Sequence, residues 1–335
     1  MFIINHFKLA WCYFFKKKYV TAFPNEVVLE LTNHCNLKCI TCPHPIMTRS
    51  KGFISLELVR KVLGELKGKV GLIDLDMFGE SQLHPAFFDI VSLIRESGQK
   101  SLYNTNLSWQ SEEDLQRLAL EGPDIIVISM DGATKKTYEK IRVGAKWEQL
   151  VNNIEILTSF KTSSHLVVQM VVSRLNFDEI KKFKKFCKGR NIEFRLHPYE
   201  VLIPNKTELT LPIGKSTRGH CIMPWRKLVI GWDGIIVPCC ADYDKIHPLG
   251  DAKQSSLQQI WNGEDFQSFR QLHILGEKKA RENKLCHSCE WFSPSTPLLV
   301  GSIFVSAYRA KRILHFLENL SVRFSTILFK KKPDV

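Results

Sequence analysis

The stretch Cys35-Asn36-Leu37-Lys38-Cys39-Ile40-Thr41-Cys42 sets three thiols at the spacing C-x3-C-x2-C, just after the apolar run 27–31. Thiolates are soft ligands for zinc or for iron-sulfur clusters. Three of them with no fourth cysteine close by leave a coordination position open, and an open position is where a metal does chemistry. A structural zinc knuckle is the alternative. It calls for C-x2-C pairs and a fourth ligand, for which His34 or His44 is at hand.

Outward from that stretch, short β-rich runs alternate with helix-length segments, the pattern of parallel strands joined by helical crossovers. Six strands are expected, over 27–31, 72–78, 101–104, 125–129, 166–172 and 192–196, with helices over 55–67, 85–97, 112–120, 134–158 and 177–188. Ser111 with Asp114 offers a capping box to the third helix. Barrels of this kind carry reactive residues at the C-terminal strand ends, and the thiols follow the first strand. Pro204, Pro212 and Gly214 then interrupt the pattern, so a linker is expected near 203–217. Beyond it, 228–232, Asp233-Gly234 and 235–237 read as a β-hairpin turned at Asp-Gly, followed by a helix over 256–273.

The 335 residues, 44% hydrophobic, can bury one large domain and a smaller one. Eight of the ten cysteines fall in clusters and no secretory signal is visible, which argues for metal binding in a reducing compartment, the cytoplasm. The apolar stretch 2–15 is broken by His6 and Lys8, and its lysines, Lys16 to Lys18, come after it. That order is wrong for a signal peptide, and the stretch is too short to span a bilayer. Ile3, Phe7, Trp11 and Phe14 recur at near-helical spacing, giving an amphipathic helix that ends by Pro24. Such a helix either plugs the domain that follows or lies on a membrane surface. Of the net charge of +13, residues 1–18 contribute +4 and residues 301–335 contribute +5. The remainder is too little for the basic, aromatic-studded face of a nucleic-acid binder, the reading from a non-enzymatic class. The expected segments are a basic helix 1–23, a barrel 24–205, a small cysteine-bearing domain 218–295 and a basic amphipathic tail 296–335.

The thiol spacing resembles that of the radical S-adenosylmethionine (SAM) superfamily. The resemblance implies an α/β fold, a partial, open (β/α)6 TIM-like barrel. It implies that Cys35, Cys39 and Cys42 hold three irons of a [4Fe-4S] cluster whose fourth iron chelates SAM. Phe78-Gly79-Glu80-Ser81 is similar to the family's Gly-Gly-Glu-Pro motif, with Phe78 in place of the first Gly and Ser81 in place of Pro. Gly79 allows close backbone approach, and Glu80 can accept hydrogen bonds from the cosubstrate ammonium. Asn104 and Asn106 suit ribose hydroxyls. Ser129, Asp131 and Arg142 complete the implied cosubstrate set, Arg142 because its planar fork matches a carboxylate. Thr41 stands where relatives usually carry a bulky residue, so adenine packing is expected to differ there.

Cys221-x17-Cys239-x46-Cys286-x2-Cys289 supplies four thiols, enough to close a metal site, either one auxiliary [4Fe-4S] cluster or structural zinc. With Pro224-Trp225, Pro238-Cys239-Cys240, Leu249-Gly250-Asp251 and Ile260-Trp261 it resembles the twitch form of the SPASM domain. Cys240 reads as a buried small hydrophobe or as a hydrogen-atom donor, and which of Cys239 and Cys240 is the ligand stays open. Arg195, His197 and Glu200 follow the sixth strand, as domain-contact residues or as substrate ligands and a general base. The resemblance implies that a reductant such as flavodoxin or ferredoxin supplies an electron, that SAM is cleaved to a 5′-deoxyadenosyl radical, and that this radical abstracts hydrogen from substrate. Loss of a proton and an electron would then give a ketone; hydrogen return from Cys240 would give an epimer. The expected substrate is a sugar, aminocyclitol or lipid-linked glycan precursor, handled peripherally at the inner membrane face. Peptide modification is the alternative.

Overall fold

The structure, a computed structural model, describes residues 2–203, 206–211, 221–287 and 289. The basic tail 296–335 lies outside the described residues, and so does most of the linker expected near 203–217. The part of that linker that is described is packed down: the Arg174 N–H donates to the Leu209 carbonyl at 3.0 Å, and Arg174 Nε to the Thr210 carbonyl at 2.9 Å.

All six expected strands form: β1 (Glu26–Leu29), β2 (Leu72–Asp74), β3 (Lys100–Thr105), β4 (Ile125–Ser129), β5 (His165–Val172) and β6 (Glu193–Pro198). Three more follow, β7 (Lys227–Ile230), β8 (Ile235–Val237) and β9 (Gly250–Asp251). The chain falls into two compact units. The first draws its described residues from Met1–His34, Met47–Ser101 and Lys215–Leu314, the second from Cys35–Ile46 and Leu102–Gly214.

In the second unit β3, β4, β5 and β6 lie side by side and parallel, with Asn104 opposite Val127 and Val171 opposite His197. Every residue of β4 is buried, as befits a parallel strand covered on both faces. In the first unit β2 and β7 flank β1 and both run parallel to it, with Val27 opposite Ile73 and Leu228. The hairpin therefore extends the sheet of the first strand, and the compact units do not follow the sequential segments 24–205 and 218–295. Its turn is a three-residue loop, Trp232-Asp233-Gly234, in which Gly234 takes a φ of 90° and donates to the Gly231 carbonyl at 2.9 Å.

Two expected helices are interrupted. The span 134–158 divides into Lys135–Ile141 and Trp147–Ser159, with Gly144 at a φ of 102° in the gap. The span 256–273 divides at Asn262-Gly263 into Leu257–Trp261 and Glu264–Ile274.

The N-terminal helix, Phe2–Phe14, docks by the face opposite to the periodic one. Leu9, Ala10, Cys12 and Tyr13 are buried, whereas Phe7, Trp11 and Phe14 are exposed. Tyr13 meets Trp225 edge-on at 5.7 Å, and two carbonyls beyond the helix are held by buried donors, Lys17 by Trp225 Nε1 at 2.7 Å and Lys18 by Arg270 Nη1 at 2.9 Å. Lys16, at a φ of 49°, occupies the left-handed position of a Schellman cap, with Lys17 N–H donating to the Cys12 carbonyl at 2.8 Å. Among the described residues no helix is long and apolar enough to cross a membrane.

Candidate active site

The second unit builds the three-thiol loop against the interrupted helix. Lys38 N–H donates to the Val143 carbonyl at 2.9 Å and Ile40 N–H to the Ile141 carbonyl at 3.0 Å, both acceptors set free where the helix stops. A Cβ on Gly144 would lie 3.3 Å from Leu37 Cδ2, so the loop rests on glycine backbone. Within the loop, Leu37 N–H points at Cys35 Sγ and His44 N–H at Cys42 Sγ, each at 3.5 Å. Asn106, 5% exposed, donates to Asn36 Oδ1 at 2.8 Å and accepts from the Ser108 hydroxyl at 2.6 Å. Asn106 thus braces the thiol loop through Asn36, while Asn104 is half-buried on β3.

Arg142 sits at the same break. Its Nε donates to Asp131 Oδ2 at 2.8 Å, and the other carboxylate oxygen accepts the Val171 N–H at 2.8 Å. Burial opposes the arginine charge, but Asp131 and then Cys39 outweigh it and hold the guanidinium above its ordinary range. Asp131, 1% exposed, thus has one carboxylate oxygen on Arg142 and the other on Val171, and orients the guanidinium. Val171 pairs with His197 on β6, and His197 Nε2 lies 3.0 Å from Glu200 Oε1. Arg195 is half-buried on the same strand, opposite Gln169. Ser129, 8% exposed, ends β4.

In the first unit a Cβ on Gly79 would meet the Thr32 carbonyl oxygen at 2.2 Å, so only glycine lets this turn lie against the residues that precede Cys35. Glu80, 2% exposed, donates its N–H to the His34 carbonyl at 2.8 Å. Phe78, the departure from the expected glycine, meets Tyr243 edge-on at 6.0 Å. Further along, the four auxiliary thiols share one neighbourhood. Burial raises Cys221, Cys239 and Cys286, the last to about 12; Cys289 adds to the rise at all three, Cys286 to that of Cys221, and Cys221 with Cys240 to that of Cys239. Cys289 N–H donates to the Cys286 carbonyl at 3.3 Å, and Arg281 Nη1 ties down the Cys289 carbonyl at 3.2 Å. Cys239 lies within electrostatic reach of Cys221, Cys240 and Cys289, and Cys240 packs against Val28, Val229 and Val237 with Met77.

Among the described residues no group of three or more Cys, His, Asp or Glu side chains is placed to hold a metal ion, but three and four cysteines are the donor sets that iron-sulfur clusters take. Burial pushes the Cys42 thiol up to about 12, and the neighbouring Cys39 and Cys35 add to the rise. The Tyr138 hydroxyl, buried and without a hydrogen-bond partner among the described residues, lies within electrostatic reach of Arg142, Asp131 and Cys39. A buried donor left over beside a thiol is what a bound anionic group would satisfy.

The radical SAM superfamily model matches residues 29–187, and the SPASM model, an iron-sulfur cluster-binding domain, matches residues 221–290. The chain belongs to the radical SAM superfamily. Its radical SAM domain binds a [4Fe-4S] cluster and SAM on a TIM-like α/β fold, and its SPASM domain binds auxiliary iron-sulfur. The chain is 24% identical over 296 residues to the tungsten-containing aldehyde ferredoxin oxidoreductase cofactor-modifying protein of Pyrococcus furiosus, covering 72% of this chain and 82% of that one. It is 19% identical over 275 residues to the SAM-dependent 2-deoxy-scyllo-inosamine dehydrogenase of Niallia circulans, covering 81% and 94%. Streptococcus suis SuiB, solved with its precursor peptide SuiA, shares the fold at a TM-score of 0.64 and 16% identity, over 83% of this chain and 72% of that one.

Sequence reasoning missed the residues that position this radical SAM site: Tyr138, Asn36 and Asn176, whose Nδ2 donates to the Asp131 carbonyl at 2.9 Å. It also passed over His84 as a titrating group. His84 Nδ1 accepts the Ala86 N–H at 3.0 Å, leaving Nε2 to donate to the Ile54 carbonyl at 2.8 Å, so the ring is neutral. Burial pushes its pKa below the ordinary 6.5. The unfolded chain then takes up a proton below 6.5 that the folded chain refuses, so this contribution to stability is whole above that pH and fades as pH falls. Urea midpoints on either side of pH 6.5, compared with those of His84→Gln, should diverge on the acid side; parallel curves would contradict the assignment.

Proposed function

We propose that the chain oxidises or epimerises an alcohol carbon of a sugar, aminocyclitol or lipid-linked glycan precursor. It does so in the cytoplasm, peripherally at the inner membrane face, with flavodoxin or ferredoxin as reductant and no nucleic acid. The feature that supports this reading is the four-thiol auxiliary set, enough to ligate one [4Fe-4S] cluster fully, so that the cluster could take an electron and would leave no vacancy for a substrate. A cluster held by Cys35, Cys39 and Cys42 would supply the electron that makes SAM a source of a hydrogen-abstracting radical, and one held by Cys221, Cys239, Cys286 and Cys289 would supply an electron acceptor. His197, oriented by Glu200 at 3.0 Å, is the proton acceptor for the substrate hydroxyl, with Arg195 a substrate contact on the same strand. An alcohol carbon becomes a ketone by losing one hydrogen atom, one proton and one electron; His197 would take the proton, and the two clusters, when bound, would account for the hydrogen atom and the electron. In the second unit Arg142 would hold the cosubstrate carboxylate, and Asn104 and Ser129 would line its path. The packing of Cys240 among valines favours oxidation over return of a hydrogen atom by that thiol. The 94% span of the aminocyclitol dehydrogenase supports the substrate class.

The test is the yield of 5′-deoxyadenosine from reduced, reconstituted enzyme given SAM with lipid, soluble or peptide fractions of the host. Stimulation by the lipid fraction identifies a lipid-linked precursor, and by the soluble fraction a free sugar or aminocyclitol. Stimulation by the peptide fraction alone overturns the reading in favour of peptide modification.

A further inference from the structure

We propose that the outer face of the N-terminal helix is a docking surface for an anionic phospholipid bilayer. Six Phe, Trp and Tyr side chains are exposed among the described residues, and five of them lie between residues 7 and 19: Phe7, Trp11, Phe14, Phe15 and Tyr19, each more than half exposed. Trp11 and Phe15 adjoin at 3.9 Å between centroids with their planes tilted by 35°. The opposite face of the helix is already used, buried through Leu9, Ala10, Cys12 and Tyr13 and tethered by Trp225 and Arg270, so the aromatic face is held rigidly outward at no further ordering cost.

Charge selects the occupant. No acid precedes Glu26, and Lys8, Lys16, Lys17 and Lys18 are all exposed around the aromatic stripe. Lysines flanking Trp, Tyr and Phe on one face make a helix that lies in an anionic interface, rings at the acyl boundary and ammonium groups at the phosphates. Lys16 carries one of these charges at a left-handed position where glycine is the less strained choice.

The inference rests on the peripheral reading given above, and vesicle binding is scored without substrate or SAM, so it and the radical chemistry fail independently. Full-length protein should sediment with vesicles of phosphatidylcholine containing phosphatidylserine, and less so as salt rises. Trp11→Ser with Phe14→Ser, both exposed and away from the docked face, should lower partitioning about tenfold at low and high salt. Lys16→Gly with Lys17→Ser should lower it at low salt only. Equal sedimentation of wild type and aromatic variant, no sedimentation at all, or a dimer that the aromatic variant alone disrupts would each overturn the proposal, the last in favour of a second copy of the chain.

Discussion

Cys42→Ala should reduce 5′-deoxyadenosine formation to background while the iron held by the Cys221 set stays bound. Cys42 is the thiol that lies within electrostatic reach of Cys39, Cys35 and Arg142 together, so its removal takes one of three donors from the loop. The loop is fixed by backbone contacts to Ile141 and Val143, so it will not move to recruit His44. Removing an outer brace is milder. Asp131→Asn keeps the shape but withdraws the charge that holds Arg142, and a loss of about 10–100-fold in cosubstrate affinity is expected. Iron per chain and nucleoside yield, measured on the same sample, separate the two effects. A Cys42→Ala enzyme that cleaves SAM at the wild-type rate would sink the assignment of the first cluster.

The second large effect is on stability. Glu30, with no exposed side-chain surface, accepts from Arg49 Nη1 at 2.8 Å, pairs with Nη2, and also receives the Trp232 N–H at 3.3 Å. Arg49 is itself only 8% exposed. Glu30→Ala strands a buried guanidinium and should cost about 3–5 kcal/mol, read from urea or guanidinium unfolding. Pairing it with Arg49→Met should recover much of that cost, because the double replacement leaves no orphaned charge. A loss under about 1 kcal/mol for Glu30→Ala would mean that the pair is solvated and contributes little. The same ion pair anchors the segment after the thiol loop, where Thr48 N–H also donates to Asp244 Oδ1 at 2.8 Å, so activity should fall with stability in the single variant.

The strands were legible because each is an apolar run too short for a helix, and the three-thiol motif because its spacing is local. The helix interruption was less so, although Gly144 marked it: helical periodicity continues on both sides and hides the gap. Asp131 and Arg142 could each be named from the sequence, but not their relation, since nothing local says that one carboxylate spends both oxygens on Arg142 and Val171. Tyr138 was invisible for the same reason. Its hydroxyl matters only for where the fold leaves it. The N-terminal helix shows the converse limit. Two apolar faces exist, and periodicity found the aromatic one, whereas packing against Trp225 chose the other.

The two hydrogen bonds from Lys38 and Ile40 to Val143 and Ile141 bear on how the enzyme is matured. During synthesis the three cysteines emerge well before the segment that shapes them, and until that segment arrives they are thiols on an unformed loop. Iron and sulfide delivered to the nascent chain would find no template. Insertion into the first site should then follow assembly of the strands through β4, and a chain truncated before Ile141 should bind iron in the test tube without selectivity for the three-cysteine loop.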